Sequence, residues 1–207
     1  MARIVPTNPA IFHITHVKNL PNILRDGGLC SDSERIRRGL TTTNIGHKHI
    51  KDRRLKRPVP VAAGGTLGDY VPFYFCSRSV MLYPIYRGHP DYAGGQEDVV
   101  HLVSSVRTAQ SLHQPWAFTE RHAELGHALY FEDVAKLREI DWSVMPLVWW
   151  NESDVMEKRQ AEFLVHKRFP WSGIERIGVM SSAVAAKVET MLGGKPPPVE
   201  IHADWYY

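Results

Sequence analysis

Short apolar stretches, some alternating and some continuous, are separated by glycine, proline and charged loops along the whole chain. Residues 11–15 alternate, with Phe12 and Ile14 on one face and His13 and Thr15 on the other, and predict a strand. Residues 17–26 carry Leu20, Ile23 and Leu24 at helical spacing. Asn19 is placed to cap that helix, Pro21 fits its first turn, and Gly27-Gly28 ends it. Residues 70–75, 99–103, 116–119, 174–180 and 199–205 have the aromatic and β-branched content of strands. Ser104 or Ser105 opens a short helix that ends near Leu112, and residues 133–140 form another. A longer helix, capped by Ser181 or Ser182, carries Val184, Val188 and Met191 on one face and is blocked beyond Gly193-Gly194 by three prolines. Nothing repeats and no second unit separates, so residues 1–207 read as one domain.

One apolar run has polar residues at its mouth. Phe163, Leu164 and Val165 predict a strand starting near Ala161, which turns Gln160 and Glu162 to the same side. At a cleft, that carboxylate accepts a hydrogen bond from a sugar hydroxyl and stabilises positive charge forming beside it, while the amide both donates and accepts. Alone, the pair has a plainer use: a glutamate opening a strand commonly pairs with a surface cation, here Lys158 or Arg159. His13, alone on a strand, is by the same standard a core histidine bonded to backbone.

Charge changes the picture locally rather than in sum. Net charge is only +3, but residues 34–58 hold nine Lys and Arg against Glu34 and Asp52. This basic insertion suits a polyanion, a dinucleotide or a nucleic acid, although most basic runs are solvated loops. His47 and His49 lie inside it without a third ligand at zinc-type spacing, so no metal is expected. The glycine-rich residues 62–68 match neither a P-loop nor a dinucleotide fingerprint. Residues 1–9 lack the signal-peptide pattern, no apolar run has membrane-spanning length, and Cys30 and Cys76 make no disulfide framework, which together predict a reducing, cytoplasmic setting.

Phe12-His13-Ile14-Thr15, the run from Tyr70 to Phe75 with Arg78-Ser79 and Met81-Leu82, and Gln160-Ala161-Glu162 occur in an order and over a length that resemble the DarT family, across nearly the whole chain. Those proteins are NAD-dependent ADP-ribosyltransferases that modify single-stranded DNA, toxins paired with a DarG macrodomain antitoxin; the resemblance is nearest to the thymidine-modifying branch. It implies an α+β ADP-ribosyltransferase fold, with two facing, mostly antiparallel sheets around an NAD cleft and helices outside. It implies NAD contacts from His13, Ile14, Thr15, Asn22 and Arg53, and DNA contacts from Lys48, Arg54, Arg78, Ser79 and Gln160. Glu162 and Arg53 would be catalytic, with residues 116–162 forming a substrate-recognising turn-turn loop. Which of Tyr74, Ser77 and Ser79 serves as the second-motif residue is open.

The implied chemistry fits the residue types. Breaking the nicotinamide–ribose bond builds an oxocarbenium-like sugar that Glu162 would stabilise. A thymine ring nitrogen must lose its proton to react, and the ring edge is free only in unpaired DNA. Arginine, with a pKa above about 12, is a poor base, so Arg53 either stabilises the thymine anion while water takes the proton or another group is the base. Two further readings remain open. One is an ADP-ribosyltransferase acting on protein or RNA; the other is a non-catalytic nucleic-acid-binding module in which Glu162 is dispensable.

Overall fold

The computed structural model describes residues 5–207; Met1 to Ile4, within the stretch read for a signal pattern, lie outside them. In chain order the strands are β1 (Ala10–His16), β2 (Gly28–Cys30), β3 (Tyr70–Tyr74), β4 (Val99–Ser105), β5 (Trp116–His122), β6 (Tyr130–Phe131), β7 (Ala161–His166), β8 (Arg168–Pro170), β9 (Arg176–Val179) and β10 (Val199–Ile201). The helices are α1 (Leu20–Arg25), α2 (Asp32–Arg37), α3 (Lys48–Arg54), α4 (Leu82–Arg87), α5 (Val106–Ser111), α6 (Ser153–Arg159) and α7 (Ser182–Leu192). Eight strands pair in the order β10-β9-β4-β1-β3-β7-β5-β6, antiparallel except for β9 with β10, and β2 pairs with β8 in a small second ladder.

β7 is buried along nearly its whole length because it is covered on both faces. Phe163 and Val165 enter the main core with Ile11, Phe73, Leu102 and Phe118, while Leu164 turns the other way into a smaller cluster with Val59, Leu67 and Tyr70. α7 closes the β9 end through Val184, Ala185, Val188 and Leu192. Ser181 accepts from the Val184 N–H at its start, and Gly193, left-handed at φ 61°, ends it.

The eight strands behave as two four-stranded halves. β1 and β4 pair over seven residues and β3 and β7 over five, but β1 and β3 are joined only at Phe12–Tyr74. Pro72 is the cause. A strand residue projects its N–H and C=O to the same side, and Pro72, two residues from Tyr74, has no N–H to offer β1. Its carbonyl is bound instead by the His13 ring, whose Nδ1–H donates across 2.8 Å. The sheet therefore splits beside β1, and a cleft opens there. The expected pair of facing sheets is present as these two halves, still linked by one backbone pair.

Other expectations shift at the ends of elements. Residues 17–26 form a 3-10 turn followed by α1, and the Asn19 side chain caps nothing, being used elsewhere. The last strand stops at Ile201 and gives way to a 3-10 turn over Ala203–Trp205. The basic insertion is not a loop: it contains α3 and most of α2.

Candidate active site

The cleft encloses about 1350 Å³ of empty space, part of it open to solvent. Its floor is the seam between β1 and β3, its far wall is the start of β7, and its roof is the segment from α2 to α3. Of the residues singled out from sequence, His13, Ile14, Thr15, Asn22, Arg54, Gln160 and Glu162 line it. Gln160 ends α6 and its amide donates to the Met156 carbonyl at 3.2 Å.

Glu162 is 2% exposed and does not pair with Lys158 or Arg159. Arg54 Nη1 donates to its Oε1 at 3.1 Å, and Arg54 Nη2 stands 2.9 Å from Oε2. The Ala123 N–H also donates to Oε1, at 3.2 Å. A bulge delivers that donor. β5 faces β7 in register at Phe118–Phe163 and again at His122–Ala161, so residues 119–121 stand against Glu162 alone. Thr119 Oγ1 uses the slack to accept from the Glu162 N–H at 3.2 Å. With Oε1 taken by two donors, Oε2 keeps the greater acceptor capacity. Burial works against the Arg54 charge, but Glu162 outweighs it and holds its pKa above the usual value.

Arg53 and Arg54 are consecutive on a helix and point in different directions. Arg54 turns inward to Glu162, and Arg53 stands 62% exposed at the rim, where both its donors meet Glu124 at 3.1 and 2.8 Å. The residue read as a DNA contact is thus the one locked to the glutamate, and Arg53, read as catalytic and NAD-binding, does not line the cleft. The hydrogen bonds and charge of Glu124 raise its pKa further, so Arg53 stays a cation.

Ser79 needs correction as a DNA contact, and Arg78 lies outside the cleft lining. Ser79 is fully buried, and the Arg78 guanidinium packs over the Tyr207 ring, 4.3 Å from its centroid. The wholly buried Arg159 fixes this region by donating to the carbonyls of Val144, Met145 and Arg78. Lys48 is exposed at the start of α3, outside the lining. For the second motif, Tyr74 is the residue on the cleft: it lies opposite Glu162 across β3 and β7, and burial with the Glu162 charge raises its hydroxyl pKa.

Several cleft residues carried no signal in the sequence. Asn19 is buried, donates to Thr15 Oγ1 at 3.0 Å and to the Thr43 carbonyl at 2.9 Å, and accepts from the Thr43 N–H at 2.8 Å. It pins the strip before α3 to α1, and Asn22 adds a bond to the Thr41 carbonyl at 3.4 Å. Asp32 Oδ1 accepts from Arg35 at 2.5 Å and Lys51 at 3.3 Å. Burial and these two cations pull in opposite senses on Asp32, and the cations win, lowering its pKa. His122 lines the cleft, and desolvation lowers its pKa below the ordinary 6.5 despite Glu162 nearby. Desolvation also pushes His13 down to about 4. Both imidazoles are therefore neutral near pH 7.

The donor set fits a dinucleotide diphosphate. Lys51, Arg35 and Arg54 bring cations to the cleft, and Arg35 Nε is buried without a hydrogen-bond partner. Thr15 and Asn22 add a hydroxyl and an amide beside apolar Ile14, Ile23 and Leu29.

The family model for the ssDNA thymidine ADP-ribosyltransferase DarT matches residues 12–207. The chain belongs to the DarT family. Among DarT relatives, a DNA ADP-ribosyl transferase of Thermus sp. (strain 2.9) is 43% identical over 212 residues, covering all of both chains, and one from Escherichia coli O127:H6 is 32% identical over all of this chain and 97% of its own. The structure of Thermus sp. 2.9 DarT in complex with ADP-ribosylated ssDNA superposes with a TM-score of 0.94 at 42% identity, covering both chains fully. The complex of that DarT with NAD+ gives 0.88 at 40% identity, over 99% of this chain and all of the other.

Proposed function

We infer that this chain transfers ADP-ribose from NAD to a thymine base of single-stranded DNA, releasing nicotinamide, as the toxin of a toxin–antitoxin pair. The observation that carries the reading is Glu162: a buried carboxylate at the start of β7, on the far wall of the cleft, held by Arg54 and the Ala123 N–H, with Oε2 left able to accept. Family membership supplies the acceptor and the donor.

The residues divide the work. Glu162 accepts from the ribose hydroxyl and stabilises the positive charge that grows at the anomeric carbon as the nicotinamide bond breaks, its electron pair leaving with nicotinamide. Arg54 fixes the carboxylate. Lys51 and Arg35 meet the diphosphate, with Asp32 limiting their local excess of charge. The thymine nitrogen then bonds to the anomeric carbon and gives up its proton. Arg53 cannot take that proton, being a permanent cation. His122, neutral and on the cleft, is the group placed to take it, while Arg53 at the rim stabilises the thymine anion. Trp149, 88% exposed on the loop before α6, offers a stacking face for a neighbouring base.

A macrodomain antitoxin of DarG type is proposed as partner, because direct reversal of the modification requires cleaving the new glycosidic bond between ADP-ribose and the base. The reaction is placed in a reducing cytoplasm, in keeping with two free thiols.

The decisive experiment incubates a mixed-sequence single-stranded oligonucleotide with the protein and NAD, beside Glu162→Ala, and reads mass. One ADP-ribose on thymidine, absent from the variant, is expected. NAD turnover without a DNA adduct would move the acceptor to protein or RNA, and binding with no turnover would favour a non-catalytic module.

A further inference from the structure

His47 and His49 form no zinc pattern along the chain, but the fold brings them a neighbour. His47 lies just before α3, and the turn after α4 carries His89 and Asp91 to it. One ligand atom from each of His47, His89 and Asp91 falls within 4.8 Å of the other two. His47 Nδ1 is 3.7 Å from Asp91 Oδ2, and the two imidazole rings are 4.1 Å apart between centroids. A tetrahedral zinc ion with bonds of 2.0–2.2 Å sets its donors roughly 3.3–3.5 Å apart, so small side-chain rotations close the cluster around one ion.

The surroundings hold two of the three groups ready. His89 is 7% exposed, and its Nε2–H donates to the Ile45 carbonyl at 3.1 Å. That bond leaves the lone pair on Nδ1, and Nδ1 is buried with no hydrogen-bond partner. A ring that donates to a backbone carbonyl through one nitrogen and keeps the lone pair of the other free is the usual setting of a metal-bound histidine. Asp91 is oriented by the Lys48 N–H, which donates to Oδ2 at 3.1 Å. The turn itself is braced by backbone bonds in both directions between His89 and Tyr92. Plain packing of histidines accounts for the ring contact but not for a buried Nδ1 left without a hydrogen-bond partner.

We propose that His47, His89 and Asp91 bind one zinc-type divalent cation, with water at the fourth position. Two imidazoles and one carboxylate suit zinc, cobalt or nickel and poorly suit magnesium or calcium, which prefer oxygen. The ion would tie the start of α3 to the turn after α4. α3 presents Arg54 to Glu162 at its other end and His47 itself lines the cleft, so the clamp would fix the near end of the helix that carries the partner of Glu162.

The test is binding, independent of turnover. Protein freed of metal by chelation is titrated with zinc chloride in a calorimeter, and cobalt(II) is added separately to read visible absorption. The expected result is one zinc per chain, a tetrahedral-type cobalt spectrum, and a melting temperature raised by zinc but not by magnesium. Asp91→Asn, a surface change that leaves the fold intact, should weaken zinc binding at least about tenfold, as should His89→Gln. Absence of stoichiometric binding, or affinity unchanged in Asp91→Asn, would overturn the proposal.

Discussion

Glu162 serves catalysis and stability through the same contacts, and substitutions separate the two. Glu162→Gln keeps the shape and an acceptor for Arg54 but removes the negative charge. Adduct formation should fall about 100-fold or more, with a loss of stability smaller than that of Arg54→Ala, because Arg54 keeps a hydrogen-bond acceptor but loses the charge that offsets its burial. Arg54→Ala leaves a 2%-exposed carboxylate unpaired and should lose both activity and about 3–5 kcal/mol of stability by urea unfolding. A wild-type rate in Glu162→Gln would remove the carboxylate from the mechanism. His122 makes a separate prediction. Its folded pKa lies below 6.5, and its neutral form is the base, so the rate should fall as pH drops through that lowered pKa. His122→Asn should be slow and should lose this acid limb; an unchanged profile would return the proton to water. Glu162 was legible in the sequence because alternation along a strand needs no tertiary knowledge, whereas Gln160 reaches the cleft from the end of α6 and not from the strand. Arg53 and Arg54 were not distinguishable, since facing on a helix is settled by what the helix packs against. Ser79 failed for a related reason: a polar pair after an aromatic strand reads as a cleft edge until distant segments pack around it, as Tyr207 and Arg159 do beside Arg78.

At the scale of elements, most strands were readable, but the short β2, β6 and β8 and the small helices of the basic insertion were not. α2 buries none of its residues and Ile36 on it is 65% exposed, so no apolar stripe betrays it. What orders this region is polar. Ser31 caps α2, Asp32 gathers Arg35 and Lys51, and Asn19 holds Thr43 through both its backbone groups. Asn19→Ala should therefore release the strip between α2 and α3. Amide exchange there should speed up, and the KM for NAD should rise about tenfold with a smaller change in kcat, since each lost bond is worth about 1 kcal/mol. Unaltered exchange over residues 40–46 would show that something else holds the strip. Proline 72 illustrates how one residue shapes an element. It withholds an N–H from β1 where the sheet parts, and the His13 ring binds its carbonyl instead.

Over the whole molecule, buried neutral histidines tie stability to pH. Desolvation brings His13 and His101 each down to about 4 from an unfolded value near 6.5. Between those values the unfolded chain binds more protons than the folded one. Stability is thus full above pH 6.5 and is lost progressively as pH falls toward 4. Melting temperatures across that window should drop steeply, and His101→Gln should flatten the slope; an equal slope in the variant would assign the loss to other groups. The sequence by itself determined the alternation of most of the strands, the polar mouth of the β7 strand and, through three ordered motifs, the family. These are properties of neighbours along the chain or of patterns that survive without coordinates. Only the tertiary structure decided which arginine meets Glu162, that a bulge in β5 supplies the Ala123 N–H, that Tyr74 is the second-motif residue on the cleft, and that His89 and Asp91 join His47. Each of those contacts is made between segments far apart in sequence, and sheet register and helix facing, which no local pattern encodes, fix which atoms come within hydrogen-bonding distance.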